Sequence, residues 1–152
     1  MSRTTSQPEP QAPPAHEVIQ LLVAMSGRLG QHFATCAAEF GLSTPEGKVL
    51  LSLESDDTLS MRALARKLSY DASNLTGIID KLEDRGAVQR HTDSADRRVK
   101  TIAATEQGLQ LRTRLWERLR ADAGPVRALN DSQLHDLRTL LQCALAEESL
   151  GR

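Results

Sequence analysis

The sequence predicts a mainly helical protein that carries one small β-hairpin. Apolar residues recur at three- and four-residue steps near both ends of the 152-residue chain, as they do on one face of an α-helix. Between residues 87 and 104, two short stretches with β-propensity flank a polar turn, which is typical of a hairpin. Because only 3% of the residues are aromatic, the core must consist mostly of Leu, Ala, Ile and Val.

The N-terminal region combines a polar tail with a long helix. Residues 1–14 contain four of the six prolines and too little apolar surface to order themselves, which predicts a disordered tail. Residues 15–40 form the first predicted helix, and Gly41 ends it. Its apolar stripe consists of Val18, Leu22, Met25, Leu29, Phe33, Cys36 and Phe40. This stripe is longer than a small domain can cover with its own residues.

Capping residues position the remaining long helices. Thr44 is the expected N-cap of the second helix. Thr105 is the expected N-cap of a long helix that the Gly-Pro pair at residues 124–125 interrupts. Asn130 or Asp131 caps the last helix. Its apolar face consists of Leu134, Leu137, Leu141, Ala144 and Leu145.

A helix-turn-helix pattern occupies the centre of the chain. Ser60 and Asp71 are positioned to cap two short helices, and the small Ala65 allows these helices to pack closely. Ser69 stands in the turn, where many such units use Gly because the backbone is left-handed. A non-Gly residue in that conformation costs roughly 1 kcal/mol, which the packing can offset.

The start of the second short helix carries Ser73, Asn74 and Thr76, whose side chains are short and form hydrogen bonds. The N-terminal residues of a recognition helix are those that reach bases in the major groove. Asn can bond an adenine edge at two points, and Ser or Thr can bond bases or phosphates. These three residues are therefore candidate DNA contacts. The alternative is that they only cap the helix and cover its solvated surface.

The hairpin supplies a second candidate contact with DNA. Its tip carries Asp93, Asp96, Arg97 and Arg98, directly after the candidate recognition helix. A wing of this kind can insert one Arg into the minor groove while an Asp orients the guanidinium. The two elements together predict a winged helix-turn-helix at about residues 44–105, with double-stranded DNA as its partner.

The net charge of −1 conceals an uneven distribution. Residues 1–61 carry a net charge of −4, residues 62–100 carry +3, and residues 101–152 are balanced. The positive segment coincides with the helix-turn-helix pattern and the hairpin. Local charge rather than total charge decides the attraction to phosphates, so this distribution supports a DNA-binding surface there.

These motifs resemble the MarR (multiple antibiotic resistance regulator) family of transcription factors. The likeness is strongest in DASNLTGIIDKLEDRG, residues 71–86. It continues through DSADRR, residues 93–98, to TEQG, residues 105–108. The resemblance implies a single MarR-like domain over residues 15–150.

The resemblance also implies a homodimer on a palindromic operator, with half-sites about one helical turn apart. Helices at about residues 15–40 and 106–150 would form the dimer, which explains their long apolar stripes. Members of the family usually act as repressors and leave DNA when a small, often aromatic, ligand binds. The chain is therefore expected to be a ligand-responsive repressor.

The family's site residues can be transferred to this sequence. The three short polar residues near the start of the recognition helix match its base-reading positions. Arg98 matches the wing arginine and Asp96 its orienting partner. Gly77 stands where many members have Arg, so one common phosphate or base contact is missing.

The family's ligand pocket lies between the dimer helices and the winged lobe. Arg28 and His32 on the first helix, and Trp116 on the fifth, are candidate lining residues. Each has a simpler alternative role. Arg28 and His32 lie one turn apart and can form a solvated edge, and Trp116 can belong to the core or the interface.

A thiol-based redox regulator that uses Cys36 or Cys143 is the alternative function. Such a switch needs an accessible thiol with a low pKa, whereas both cysteines stand among apolar helical neighbours and are expected to be inert core residues. The peroxide-sensing branch of the family has its thiol near the start of the first helix, where this chain has Ile19 and Leu22.

Other functional classes have less support in the sequence. A winged-helix interaction module that no longer binds DNA is a third hypothesis, but Asn74 and the wing arginines argue against it. No enzyme activity, cofactor or metal is expected, because the four histidines are scattered and the chain has no Gly-rich phosphate loop. No apolar run approaches the roughly 20 residues that span a bilayer, and no signal-peptide core is present, so a cytoplasmic protein is expected.

Overall fold

The computed structural model describes residues 14–54, 58–92, 100–121 and 124–148. These residues form the predicted mainly helical fold with a small antiparallel sheet. Their elements are α1 Ala15–Glu39, α2 Thr44–Ser52, β1 Leu59–Ser60, α3 Met61–Leu68, α4 Ala72–Asp84, β2 Val88–Thr92, β3 Lys100–Ala104, α5 Glu106–Ala121, a short 3-10 helix Gly124–Val126, and α6 Asp131–Glu148.

The N-terminus of α2 is fixed by a reciprocal pair of hydrogen bonds. The Ser43 hydroxyl accepts from the Glu46 backbone N–H at 3.4 Å, and the Glu46 carboxylate accepts from the Ser43 backbone N–H at 2.7 Å. Ser43 is therefore the N-cap, and the prediction of Thr44 is wrong by one residue. The cause is that Glu46 stands three residues after Ser43, which is the spacing that a capping box requires.

Three other predicted caps form as expected. The Ser60 hydroxyl accepts from the Ala63 backbone N–H at 3.1 Å, and the Thr105 hydroxyl accepts from the Gly108 N–H at 3.0 Å. Asn130, rather than Asp131, caps α6, because the Oδ1 atom of its side-chain amide accepts from the Gln133 backbone N–H at 3.0 Å. Asp71 occupies the N-cap position of α4, but within the described part of the chain its side chain makes no capping hydrogen bond.

The sheet places β3 between β1 and β2. The hairpin of β2 and β3 pairs in antiparallel register from Val88 opposite Ala104 to Thr92 opposite Lys100. Strand β1, which pairs Leu59 with Ile102, has no counterpart in the sequence prediction. A strand of two residues carries no alternating pattern, so only its pairing with β3 defines it.

The core lies beneath the helix-turn-helix and joins it to the two long helices. Cys36 and Ala37 of α1 and Leu115 of α5 are completely buried against residues of α2, α3, α4 and the sheet. The completely buried members from these other elements are Val49, Leu50, Leu53, Leu64, Leu75, Ile79, Leu82 and Ile102. The C-terminal end of α1 and the middle of α5 are therefore anchored to the winged unit.

Two terminal helices present apolar side chains that their own chain does not cover. On α1 the exposed residues are Val18, Ile19, Leu21, Leu22, Val23 and Leu29. On α6 they are Leu140, Leu141 and Leu145. Among the residues described, no helix combines the length and apolar character that crossing a bilayer requires.

Candidate nucleic-acid interface and ligand cavity

Helix α4 has one buried face and one exposed face. Leu75, Ile78, Ile79 and Leu82 are buried. Because each residue advances roughly 100° around an α-helix, the residues between them project from the opposite side. The exposed residues of that side include Ser73, Asn74, Thr76, Gly77 and Lys81. Burial of the apolar stripe therefore leaves all three predicted base-reading residues accessible on one solvent-facing surface.

The turn before α4 has the predicted left-handed geometry. Ser69 has φ 54° and ψ 44° and is the one non-Gly residue with positive φ in the described ranges. The Tyr70 backbone N–H donates to the Ala65 carbonyl oxygen at 2.9 Å, which closes the end of α3. This closure ends α3 and lets the chain turn into α4.

Thr76 is constrained by its own helix. Its hydroxyl donates to the Ala72 carbonyl oxygen at 2.9 Å, so its lone pairs remain open to a donor. In this rotamer Thr76 can accept a hydrogen bond from a base or an amine, but it must break the intrahelical bond to donate one.

The wing residues Asp93, Asp96, Arg97 and Arg98 lie outside the described residues. The base of the hairpin is defined by the last pair of its ladder, Thr92 and Lys100. The Lys100 ammonium donates to the Thr92 hydroxyl at 3.1 Å.

An ion-pair cluster that the sequence reading missed joins the hairpin to α4. Arg90 of β2 contacts two carboxylates of α4: its Nη2 lies 2.5 Å from Asp80 Oδ1, and its Nη1 contacts Glu83 Oε2. The Arg90 backbone N–H also donates to Glu83 Oε1 at 3.3 Å. The hydrogen bond to Asp80 raises the pKa of the Arg90 guanidinium above its usual value, against the opposing effect of partial burial. The sequence offered one signal, two acids one turn apart, but not the strand register that brings Arg90 beside them.

Helix α3 contributes two further cations, which entered the sequence analysis only through the net charge of residues 62–100. Arg62 and Arg66 are exposed, one turn apart, and border a groove of about 600 Å³ between α3 and the start of α4. Tyr70 lines the same groove, and partial burial raises the pKa of its phenol. The first helix of a helix-turn-helix crosses the DNA backbone, so these arginines are candidate phosphate contacts.

A separate cavity of about 450 Å³ opens where α1, α2, α5 and the 3-10 helix meet. It has the size of a small-molecule site and mainly apolar walls. Its lining consists of Leu29, His32, Phe33, Leu51, Trp116, Leu119, Arg120, Pro125 and Val126. The structure thus brings together two of the three predicted lining residues, His32 and Trp116.

Arg28, the third candidate lining residue, is exposed and is not among the residues that line this cavity. One residue turns an α-helix by roughly 100°, so Arg28 lies to the side of the face that Leu29 and Phe33 share.

His32 joins three elements at the edge of the cavity. Its Nε2 lies 3.2 Å from the Leu119 carbonyl oxygen of α5 and 3.8 Å from the Cys36 sulfur of α1. A Cβ atom built on Gly124 would stand 2.7 Å from His32 Cδ2, so the 3-10 helix approaches the imidazole closely. Any movement of α5 relative to α1 must therefore alter the surroundings of His32.

The two cysteines differ in exposure. Cys36 is completely buried, as predicted, whereas Cys143 is exposed. The prediction that both are core residues is wrong for Cys143. It lies on α6, and none of the described residues of α6 is buried within the chain.

Positive groups lie beside the apolar cavity on one face of α5. Arg112, Trp116 and Arg120 follow each other at four-residue spacing and line an adjoining pocket of about 420 Å³. The Nε atom of Arg112 is buried and has no hydrogen-bond partner among the described residues. An acidic group in this pocket would meet two guanidinium groups. The described residues contain no cluster of three or more side chains suited to hold a metal ion.

The chain is similar to known transcriptional regulators. The sequence model of the MarR family matches residues 42–100. The crystal structure of CouR from Rhodococcus jostii RHA1 bound to p-coumaroyl-CoA is 30% identical, covers 83% of this chain and 90% of its own, and has a TM-score of 0.69. A MarR-family transcriptional regulator from Rhodococcus sp. RHA1 is 28% identical, with coverage of 86% and 96% and a TM-score of 0.72.

A curated relative is also a regulator. The uncharacterized HTH-type transcriptional regulator YfiV of Bacillus subtilis (strain 168) is 35% identical over 77 residues, which are 51% of this chain and 48% of YfiV. The chain thus spans about half the length of the curated relatives it matches first.

Proposed function

This chain belongs to the MarR family of DNA-binding transcriptional regulators, and we propose that it is a homodimeric repressor that a small ligand releases from a palindromic operator. The observation that carries the proposal is the exposed face of α4. Ser73, Asn74 and Thr76 project from it, while the opposite face is buried in the core. The core therefore fixes the orientation of the side chains that would read bases.

The wing would supply the second contact. Strands β2 and β3 bring Thr92 and Lys100 together, and residues 93–99 connect them. We assign minor-groove insertion to Arg98 or its neighbour Arg97, with Asp96 as the carboxylate that orients the guanidinium. The positive charge of residues 62–100 supports this orientation toward DNA.

The partner for the uncovered apolar faces would be a second copy of the chain. The exposed apolar residues of α1 and α6 come from opposite ends of the sequence, as expected when helices at 15–40 and 106–150 intertwine with those of a partner. A dimer would also set two α4 helices at the spacing of two successive turns of DNA. The protein would act in the cytoplasm, where its operator is.

Ligand binding in the cavity between α1, α2 and α5 would affect DNA binding through α2. Its wall includes Leu51 of α2, and the neighbouring Leu50 belongs to the core that supports α4. A ligand that separates α1 and α5 from α2 would therefore change the position of the recognition helix. Ligand binding weakens the DNA complex only as far as the ligand prefers the released conformation.

The walls of the cavity indicate the class of ligand. Trp116 and Phe33 suit a flat apolar body, and Arg120 suits an acidic group. The similar protein CouR was crystallised with p-coumaroyl-CoA, an aromatic acyl thioester with phosphate groups. We therefore propose a small aromatic ligand with a negative charge.

A DNA-binding assay on matched variants tests the role of α4. The probe is a fluorescent duplex that the wild-type chain has selected from a random library. Asn74→Ala should weaken binding about 5- to 150-fold, which corresponds to the roughly 1–3 kcal/mol of one bidentate base contact. Gln110→Ala, which removes an exposed amide from α5, is the control and should leave the affinity unchanged. Equal affinities for both variants would remove Asn74 from the base-reading set.

A further inference from the structure

Arg90 connects the base of the wing to the recognition helix by more than one bond. Its guanidinium contacts Asp80 and Glu83, and its backbone N–H donates to Glu83 as well. Its side chain is 28% exposed, less than either carboxylate. The cluster therefore ties one strand of the hairpin to two successive turns of α4.

The shape of the guanidinium is what makes this connection possible. Two of its nitrogens, held apart in a rigid planar fork, contact two different carboxylates, and the single nitrogen of a lysine ammonium does not reproduce that spacing. Arg90 also stands two residues before Thr92, the last residue of β2. Fixing Arg90 relative to α4 therefore fixes the direction in which the hairpin leaves the body of the protein.

The cluster also affects the charge that α4 presents to DNA. Asp80 is exposed and lies seven residues, roughly two turns, after Ser73, so both project from the same side of the helix. A free carboxylate there would repel the phosphate backbone. The guanidinium of Arg90 compensates this charge.

We propose that Arg90 is a positioning residue for DNA binding: it sets the wing at a fixed angle to the recognition helix and neutralises Asp80 on the DNA-facing side. The proposal rests on the proposed function, because it assigns the reason for the Arg90 cluster to the joint use of α4 and the wing. Arg90 itself contacts no base in this scheme.

A positioning role for Arg90 must be distinguished from a purely structural ion pair. Thermal stability does not distinguish them: partly exposed ion pairs contribute little to folding, so Arg90→Gln should leave the unfolding temperature almost unchanged in both cases. The distinguishing readout is the coupling between Arg90 and the wing arginine. If Arg90 positions the wing, Arg98 makes its full contribution to DNA affinity only while Arg90 is present.

The experiment is a double-mutant cycle on the wild-type-selected duplex, with Arg90→Gln, Arg98→Ala and the double variant. We expect Arg98→Ala to weaken binding roughly tenfold in the wild-type background but less than about threefold in the Arg90→Gln background, within the usual range of coupling between cooperating residues. Arg90→Lys keeps the charge but not the fork, and should show the same loss of coupling. Gln89→Ala, an exposed neighbour on β2, is the control and should retain full coupling.

An equal loss from Arg98→Ala in both backgrounds would overturn the proposal.

A second measurement does not depend on DNA: hydrogen–deuterium exchange of the free protein. Arg90→Gln should accelerate exchange of the β2 and β3 amides while leaving α2 unchanged, and unaltered hairpin exchange would overturn the proposal even if the wild-type chain selected no duplex. Failure of the proposed function would instead appear as absence of any selected duplex for the wild type.

Discussion

Gly108 of α5 lies directly against the main chain of Ala87, such that a Cβ atom at position 108 would stand 1.8 Å from the Ala87 carbonyl oxygen. The same carbonyl accepts a hydrogen bond from the Thr105 backbone N–H at 3.1 Å. The Thr105 hydroxyl donates to the Gly86 carbonyl oxygen at 2.5 Å. The start of α5 is therefore packed backbone to backbone on the segment that joins α4 to β2.

Gly108→Ala should destabilise the protein by at least about 1–3 kcal/mol, because main-chain atoms cannot move aside as a flexible side chain can. Gly77→Ala is the matched control: it is also a helical glycine, but its Cβ would meet nothing within 4 Å. This control should raise stability by about 0.5–1 kcal/mol, since Ala is the better helix former. Urea unfolding at one fixed protein concentration measures both. Similar stabilities for the two variants would contradict the close packing at Ala87.

The turn and the recognition helix were predictable because local rules determine them. Ser69 stands four residues after Ala65, which fixes where the left-handed residue must fall. The apolar spacing of α4 decides which residues are exposed. The Ser43 cap was also readable, since Ser-Thr-Pro-Glu has the capping-box spacing, but the adjacent Thr44 is an equally good capping type.

What could not be predicted depends on tertiary pairing. Strand β1 exists only because β3 lies beside it, and the Arg90 cluster depends on the register of β2 against α4. The exclusion of Arg28 from the cavity depends on how α1 is rotated against α5. The position of Asp96, Arg97 and Arg98 remains a sequence prediction.

The apolar stripe of α1 gives a test of the dimer. Leu22→Glu places a charge among the exposed apolar residues of α1, where a partner helix would bury it, and burial of an unpaired charge is strongly unfavourable. Gln20→Glu adds the same charge to the opposite side of the helix. Sedimentation velocity should show a dimer for Gln20→Glu and a monomer or weakened dimer for Leu22→Glu. A dimer of equal strength in both would place the interface elsewhere.

The two thiols should react at very different rates. Cys143 is exposed and should react with an aromatic disulfide reagent within the mixing period, whereas Cys36 is completely buried and should react only when the protein unfolds. Titration with and without denaturant measures this difference.

Cys143→Ser tests the redox alternative: oxidant-dependent loss of DNA binding that disappears in this variant would support a thiol switch in place of a ligand switch.

Trp116, the single tryptophan of the chain, reports on the cavity that it lines. Titration with 4-coumarate should change its fluorescence. Arg120→Gln should weaken this binding about tenfold or more, which is the scale of a hydrogen bond to a charged group. It should affect the uncharged methyl ester much less. Arg127→Gln, an exposed arginine outside the lining, is the control. If Arg120→Gln weakened the binding of the acid and of the ester by the same factor, Arg120 would not recognise the acidic group, and the proposal of an acidic ligand would fail.

Selection of DNA from a random duplex library by the wild-type chain tests the central claim most directly. A dimer that reads DNA with two α4 helices should enrich an inverted repeat, with half-site centres roughly 10–10.5 base pairs apart. Enrichment of a single asymmetric motif, or of no motif at all, would contradict a dimeric reader of a palindromic operator.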